Sequence, residues 1–364
     1  MSNAESGKSV LVAGYATRHV AASAAAAGYT VYAADHFCDQ DLLCCTADHR
    51  AFDELGELPF AAEELISLYH PDYVVTTSGA ELLEFENRLG TAPSAAQKFM
   101  NKASTQEFFE RIGVPVPKLA EPGVYPAMAK TTGGAGGWRN AIVRSDAELA
   151  AWCEFVKGDP YILQEVIEGM PASVCCLVTP SGEACVLAAN QQILRGGELY
   201  PYAFTGSVTP CTHPLVPRMK ELGKKIAEAS GCVGCIGIDF VLGDKEAYAI
   251  EVNPRFQGTL ETVERALGKN LFTLHKNACE GTLPEHIPEI TSFSVRKILA
   301  APEDITVKKD LLPLAEFITD IPHPGLFFEK GEVICSVTGR GETLDAAYAS
   351  LDKNIKIAVQ YIQQ

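Results

Sequence analysis

Residues 247–256, AYAIEVNPRF, end an apolar segment with polar residues at alternate positions. Side chains two residues apart on a β-strand point to the same face, so Glu251, Asn253 and Arg255 are expected to share one face. Ile250 and Val252 are expected to point the other way, into a core. A carboxylate, an amide and a guanidinium in one row indicate a ligand site at the end of this strand.

The preceding strand supplies a second carboxylate. A hairpin joins GIDFVL (237–242) to AYAIEV (247–252) through GDKE, and a turn centred on Lys245 places Asp239 opposite Glu251. Directly opposed like charges destabilise a sheet. Two carboxylates beside Asn253 therefore predict a hard cation, Mg²⁺ with Mn²⁺ as a substitute, that is shared with substrate phosphates. Two alternatives remain open, in which the carboxylates point into solvent or Arg255 neutralises them.

A glycine-rich loop follows the predicted strand that ends at Lys130. The sequence TTGGAGG (131–137) would let backbone N–H groups approach phosphates, and Lys130 adds a positive charge. Lys102, within MNKAS, is a second candidate cation. The alternatives are a flexible loop without chemistry and, for Lys102, a solvated helix residue.

Length and charge limit the classes of protein that fit. The chain has 364 residues, enough for two or three domains, and a formal net charge of −16. This charge argues against nucleic acid or an anionic membrane as a general partner. The first residues lack the apolar core of a signal peptide, so we expect a cytoplasmic protein. The twelve cysteines are expected to be small buried apolar groups without disulfides.

The order of predicted elements favours an α/β (α+β) fold. Residues 8–37 alternate strand, alanine-rich helix and strand, which predicts a parallel sheet. An amphipathic helix or helix pair follows near residue 95 and ends at Gly113. Two hairpins are predicted over 172–194 and 236–256. Short strands and a helix from about Thr343 complete the chain.

The order of these motifs resembles the ATP-grasp superfamily of ATP-dependent carboxylate–amine ligases. Lys102, Lys130 before TTGGAGG, LQEVIEG (163–169), Asp239 and EVNPRF (251–256) occur in the same order as in that family. The chain looks nearest to carboligase-like members related to biotin carboxylase and amino-acid ligases. The resemblance implies an N-terminal pre-ATP-grasp βαβ domain and a two-lobed ATP-grasp domain, followed by a C-terminal β/α region that completes or flanks the fold. The implied ranges are 1–95, 96–290 with a lid at about 103–165, and 291–364.

The resemblance also implies roles for individual residues. The residues expected to bind ATP are Lys102, Lys130, Gly133, Gly134, Gly136, Gly137, Gln164, Glu165, Ile167 and Glu168. The expected metal ligands are Asp239, Glu251 and Asn253, and the expected catalytic residues are Arg255 and Lys130. Trp138 departs from the family pattern, which has a small or basic residue there. The sequence therefore does not decide whether the loop closes over the phosphates.

Substrate residues are predicted less directly. Arg195 is a candidate clamp for a substrate carboxylate, with a surface arginine as the equally weighted alternative. Arg18, beside His19 after the first strand, is a second candidate, with an exposed first helical turn as the alternative.

The activity that the resemblance implies is ATP-dependent ligation. A substrate carboxylate would be activated as an acyl phosphate and joined to an amine, with release of ADP and phosphate. The expected partners are small-molecule carboxylates and amines and a second copy of the chain in a homodimer, with no nucleic acid and no membrane. The alternatives are a bicarbonate-activating carboxylase component and a non-catalytic ATP-binding regulator.

Overall fold

Four parallel strands open the chain in the computed structural model, which describes residues 7–197 and 200–363. Their order is β3-β2-β1-β4, so the predicted βαβ opening is confirmed and the carboxyl ends of all four strands lie at one edge. Valine, leucine and alanine form the buried part of the first strand, and the alanine-rich α1 packs on the sheet through Val20, Ala21 and Ala24. The elements are β1 (Ser9–Ala13), α1 (Arg18–Ala26), β2 (Thr30–Asp35), α2 (Gln40–Leu43), β3 (Asp48–Ala51), α3 (Leu58–Tyr69) and β4 (Tyr73–Thr76).

A small antiparallel sheet with the order β6-β5-β7 follows. The glycine-rich loop joins β5 to β6. Ser145 caps the N-terminus of α6, because its hydroxyl accepts a hydrogen bond from the backbone N–H of Glu148. The elements are α4 (Pro93–Ala96), α5 (Lys102–Arg111), β5 (Ala127–Thr131), β6 (Ala141–Val143), α6 (Asp146–Phe155) and β7 (Tyr161–Glu165).

An eight-stranded sheet forms the main body, in the order β12-β11-β8-β9-β10-β13-β17-β15. The pairs β8–β9 and β11–β12 are antiparallel, so both predicted hairpins are confirmed. The first part of this body contains β8 (Met170–Val178), β9 (Ala184–Leu194), β10 (Phe204–Thr209), α7 (Val216–Ser230), β11 (Gly234–Leu242), β12 (Ala247–Asn253), α8 (Leu260–Leu267) and α9 (Leu271–Cys279).

The C-terminal strands continue the same sheet, because β13 pairs with β10 and β17 pairs with β13. The last helix begins where Thr343 caps it, as predicted, and it packs on β17. The elements are β13 (Phe293–Ala300), β14 (Ile305–Thr306), β15 (Ile318–Thr319), β16 (Phe327–Phe328), β17 (Val333–Gly341) and α10 (Leu344–Ile362). All twelve cysteines are free thiols. Within the described ranges, every helix is too short or too polar to cross a bilayer.

Arg18 lies in a buried ion cluster and not at a ligand site. Its side chain is 6% exposed and donates to Glu261 at 2.7 Å and to Asp320 at 3.0 Å. Arg296 contacts the same two carboxylates at 3.2 and 2.6 Å. The prediction of Arg18 as a substrate ligand is therefore wrong, and so is the alternative of an exposed helical turn. Arg18 joins the N-terminal sheet to α8 and to the C-terminal strands.

The two arginines hold the carboxylates of this cluster in their charged form. Burial alone would raise the pKa of Glu261, but Arg18 and Arg296 together lower that pKa to about 2. The same arginines hold the pKa of Asp320 well below its usual range against the effect of burial. A carboxylate with a lowered pKa stabilises the fold above its ordinary pKa, and this contribution is lost as the pH falls through the lowered value.

We predict that Arg18→Ala lowers the free energy of unfolding by about 3–5 kcal/mol, because it removes the arginine that pairs with Asp41, Glu261 and Asp320. Urea unfolding at pH 7 measures this loss. Arg144→Ala is the control, since the Arg144 side chain is 66% exposed and its ion pair with Glu148 is long, at 4.0 Å. The control should change stability by less than about 0.5 kcal/mol.

The pH dependence of this stability loss distinguishes the loss of ion pairs from the loss of packing. The deficit of Arg18→Ala should shrink as the pH is lowered from 5 toward 2, because a protonated Glu261 gains little from Arg18. A deficit that is equal in the two arginine variants, or that does not depend on pH, would contradict the ionic role of Arg18.

Candidate active site

Asp239 and Glu251 lie directly opposite each other on β11 and β12, as the sequence predicts. The turn pairs Leu242 with Ala247, which alone would put Asp239 opposite Ile250. A β-bulge after Asp239 shifts the register by one residue and brings Glu251 into place. The bulge also moves Ile250 out of the core to line the cavity, so the prediction that Ile250 faces the core is wrong.

Three side-chain amides surround the Asp239 carboxylate. Gln257 and Gln192 donate to its Oδ1 at 2.8 and 2.9 Å, and Asn253 donates to its Oδ2 at 3.1 Å. Since the Asn253 amide nitrogen faces Asp239, its oxygen is left as an acceptor. The Oε1 of Gln257 is buried and has no hydrogen-bond partner within the described part of the chain. Uncharged amide groups thus surround the Asp239 side of the carboxylate pair.

The donor set fits a hard divalent cation. Burial and the neighbouring Glu251 raise the pKa of Asp239 to about 7, because both disfavour its charged form. A cation between them would offset this effect, and two carboxylates with an amide oxygen are ligands that suit Mg²⁺. Among residues 7–197 and 200–363, no three His, Cys, Asp or Glu side chains cluster as a metal site.

Lys130 faces this pair from the small sheet. It is the penultimate residue of β5 and is 7% exposed. Burial lowers its pKa to about 8; Glu251 opposes this effect and Lys102 adds to it. The Lys102 ammonium donates to the carbonyl of Gly134 at 2.8 Å, so it lies at the glycine-rich loop.

The glycine-rich loop lies close to the segment leading into β10. The Gly136 carbonyl accepts a hydrogen bond from the Phe204 N–H at 3.1 Å. Gly137 has a φ of +70°, and a Cβ there would come within 2.4 Å of the Tyr202 carbonyl oxygen. Trp138 packs edge-on against Tyr200 with ring centroids 5.7 Å apart. The tryptophan is therefore compatible with a loop that lies over the main sheet.

A cavity of about 300 Å³ separates the small sheet from the main sheet. One part of its wall is apolar, and the other carries the carboxylates and cations. Its lining residues are Met128, Lys130, Gly136, Gly137, Asn140, Ile167, Gly169, Pro171, Gln192, Leu194, Tyr202, Phe204, Asp239, Phe240, Val241, Ile250, Glu251, Asn253, Arg255, Gln257, Gly258 and Thr259. The structure thus brings the polar row of β12 together with the lysine and glycines predicted from a distant part of the chain.

The segment after β7 reaches the cavity through Ile167. The Gln164 side chain is buried and donates to Gln106 at 2.7 Å, and the Glu165 carboxylate accepts from the Lys118 N–H at 2.9 Å. Neither these two residues nor Glu168 is among the lining residues. The side chains of Gln164 and Glu165 are thus used within the protein.

Arg255 and Arg195, for which the sequence predicts roles at the substrate, lie in different surroundings. Arg255 lines the cavity, and its Nε donates to Glu81 of the N-terminal region at 2.8 Å. Arg195 is exposed, is not among the lining residues, and makes a weak contact of 3.4 Å to the Gly331 carbonyl. This placement favours the alternative of a surface arginine for Arg195.

Sequence reasoning missed three residues of the site. Gln257 continues the alternation of Glu251, Asn253 and Arg255 by one more step, so the same pattern extends to it. Gln192 lies on β9, two strands from Asp239 in the order of the sheet, and Glu81 is 174 residues from Arg255 along the chain. Neither carries a local motif.

The central part of the chain matches a known family. Residues 99–259 match the family model described as ATP-grasp domain. An uncharacterised protein of Methanocaldococcus jannaschii, MJ0776, is 25% identical over 91% of this chain and 88% of its own length. The carbamoyl phosphate synthase large chain of Thermus thermophilus is 22% identical over 85% of this chain, which spans about a third (32%) of that relative.

Solved structures with the same fold cover nearly the whole chain. The biotin carboxylase domain dimer of Hydrogenobacter thermophilus 2-oxoglutarate carboxylase, solved with MgADP and bicarbonate, has a TM-score of 0.77 and 16% identity. The match covers 96% of this chain and 89% of that one. L-amino acid ligase from Bacillus licheniformis has a TM-score of 0.72 and 16% identity, with coverage of 97% and 98%. The predicted resemblance is confirmed: residues 99–259 form an ATP-grasp domain, and the chain has the ATP-grasp fold along nearly its whole length.

Proposed function

We propose that the protein is an ATP-dependent carboxylate–amine ligase that releases ADP and phosphate. The observation that carries the proposal is the opposed pair Asp239 and Glu251, with Asn253 beside it, across one cavity from Lys130. Oxygen ligands on one wall and a buried cation on the other suit a metal–nucleotide complex. The ATP-grasp domain and the ligase among the solved structures of the same fold support the assignment.

The metal would be held by Asp239, Glu251 and Asn253. When bound, Mg²⁺ neutralises negative charge on the phosphates of ATP. Lys130 places a positive charge at the phosphates, and Lys102 does so from the side of the glycine-rich loop. Backbone N–H groups from Gly133 to Gly137 would cover them. Met128, Ile167 and Ile250 give the apolar part of the cavity where an adenine ring fits.

The reaction would take place at the Arg255 end of the cavity. The substrate carboxylate attacks the γ-phosphorus, the bond between that phosphorus and ADP breaks, and an acyl phosphate forms. The amine nitrogen then attacks the acyl carbon, the C–N bond forms, phosphate leaves and the amine loses a proton. Arg255, held by Glu81, would stabilise the negative charge that develops on the acyl oxygens. The protein supplies position and charge throughout.

Gln257 would hold Asp239 in position for the metal. It lies against Gly237, and a Cβ on Gly237 would come within 1.6 Å of its side-chain Cδ. The absence of a side chain at Gly237 therefore makes room for the amide that donates to Asp239.

We predict that Glu251→Gln lowers ATP turnover by about 100-fold or more, because the metal site loses a charge. The measurement is ADP release, with hydroxamate trapping of the acyl phosphate, over a panel of carboxylates and amines. Glu246→Gln is the matched control, since Glu246 lies on the same hairpin but pairs with Arg218 at 3.0 Å. Both variants should keep the melting temperature of the wild type within a few degrees.

The same panel of carboxylates and amines distinguishes the ligase from the carboxylase component and the ATP-binding regulator. Turnover retained by Glu251→Gln would contradict the metal role. ADP release that needs bicarbonate but no amine would indicate the carboxylase component. This alternative is retained because biotin carboxylase domains share the fold. Absence of ADP release with every pair would indicate the ATP-binding regulator.

We predict that Gly237→Ala destabilises the protein by about 1–3 kcal/mol, because its methyl group displaces the Gln257 side chain. Urea unfolding measures the loss. Gly56→Ala is the control, since a Cβ there meets nothing within 4 Å. Combining Gly237→Ala with Gln257→Ala should recover part of the loss, because the truncated side chain vacates the space. A double variant with fully additive losses would contradict this account.

A further inference from the structure

Three aromatic side chains stand together at the carboxyl edge of the N-terminal sheet. We call Tyr15, His36 and Phe37 the aromatic rim. Tyr15 stacks on His36 with ring centroids 4.5 Å apart and an interplanar angle of 13°, and it meets Phe37 edge-on at 5.3 Å. Tyr15 follows β1, and the other two follow β2, so parallel pairing brings them together. This is the edge at which open α/β sheets bind ligands.

A buried carboxylate fixes the loops that carry the rim. Asp35 is 1% exposed, and its two oxygens accept hydrogen bonds from the backbone N–H groups of Thr17, Phe37 and Cys38 and from the Thr17 hydroxyl. The Tyr15 N–H donates to the Ser78 carbonyl at 2.7 Å. Yet Phe37 remains 51% exposed and Tyr15 36% exposed. The rim is therefore positioned by the protein while its aromatic surface stays open.

The rim is connected to the reaction end of the cavity by a short series of contacts. Ser78 is followed by Gly79, whose N–H donates to one oxygen of Glu81 at 2.7 Å. The other oxygen of Glu81 accepts from Arg255 at 2.8 Å. Glu81 and Arg255 side chains are both at most 12% exposed, so this bridge is built into the fold. The loop that holds Tyr15 in place thus also leads to the arginine at the cavity.

The charges near the rim favour a cation over an anion. Burial and the carboxylates of Glu54 and Asp35 raise the pKa of the Tyr15 phenol, which places both acids near the ring. An incoming ammonium group is attracted to such a place and to aromatic faces, whereas a carboxylate is repelled.

We propose that the aromatic rim binds the amine substrate, and that this amine carries a flat aromatic ring that packs on Tyr15 and Phe37. The proposal rests on the ligase function, since it places the amine at the Arg255 end of the cavity. The ring would lie at the rim, with the nitrogen directed toward the acyl group.

Binding is tested first, without turnover. Saturation-transfer NMR compares benzylamine with cyclohexylmethylamine, which has a ring of similar size but no aromatic face. Benzylamine should bind about three- to tenfold more tightly, and Phe37→Ala should weaken it about tenfold. Phe37→Leu keeps an apolar side chain and should still lose most of the preference for benzylamine.

Phe60→Ala is the matched control. Phe60 is an exposed phenylalanine on α3, outside the rim, and is 72% exposed. It should leave benzylamine binding unchanged. Equal binding of the two amines, or equal effects of the Phe37 and Phe60 variants, would overturn the proposal. Sedimentation that shows a dimer abolished by Phe37→Ala, together with absence of benzylamine binding, would overturn it in favour of a contact between copies of the chain.

Turnover is tested with the same variants. Over the panel of acids and amines, Phe37→Ala should raise KM for amines with an aromatic ring about tenfold, with kcat and the KM for ATP unchanged. Aliphatic amines should show no such difference. If the wild type releases no ADP with any pair but still binds benzylamine through Phe37, the ligase function fails while the aromatic site stands. If ADP is released equally with both classes of amine and Phe37→Ala changes neither, the ligase function stands and the aromatic site fails.

Discussion

The opposition of Asp239 and Glu251 across β11 and β12 is the constraint around which the site is arranged. Two carboxylates at directly opposed positions repel each other, and a fold tolerates this only where something else is gained. The bulge that creates the opposition also turns Ile250 into the cavity. The three amides donate hydrogen bonds to the oxygens of Asp239 but add no positive charge. The negative charge of the two carboxylates therefore still favours a bound cation.

Two ionic contacts hold the N-terminal sheet against this centre. Arg255 and Glu81 meet at the cavity, and the cluster around Arg18 lies on α1, α8 and the C-terminal strands. Both are buried, so each charge depends on its partner. Because the carboxyl edge of a parallel sheet is where its loops converge, fixing the sheet in this orientation brings the loop after β4, which carries Glu81, to Arg255 at the cavity.

What could be predicted from the sequence was local. Alternation on β12 puts Glu251, Asn253 and Arg255 on one face, and a glycine-rich loop after Lys130 identifies the other wall. The predicted opposition of Asp239 and Glu251 assumed a turn centred on Lys245, whereas the observed turn pairs Leu242 with Ala247 and the bulge restores the register. The match of residues 99–259 to the ATP-grasp family agrees with the order of these motifs. The orientation of Ile250 could not be predicted, because a single bulged residue reverses the face of a side chain.

Contacts between distant residues were beyond such reasoning. Arg18 directly after a strand looks like a ligand residue, and only its three acidic neighbours, from residues 41, 261 and 320, reveal a structural role. Glu81 likewise has no motif of its own. Gln257 is the instructive exception, because it lies one step further along the same alternation and was accessible to the same argument.

The electrostatics of the cavity couple its two walls. Lys130 is buried on the small sheet, and burial disfavours its charge, whereas Glu251 on the main sheet favours it. Glu251 in turn raises the pKa of Asp239 in addition to the effect of burial. One carboxylate thus supports the cation that faces it and disfavours the anion beside it. A ligand that brings both negative phosphates and a divalent cation would suit both walls, because Lys130 would face the phosphates and Asp239 and Glu251 would hold the cation. This reciprocity explains how a chain with a net charge of −16 can offer a site for a polyanion.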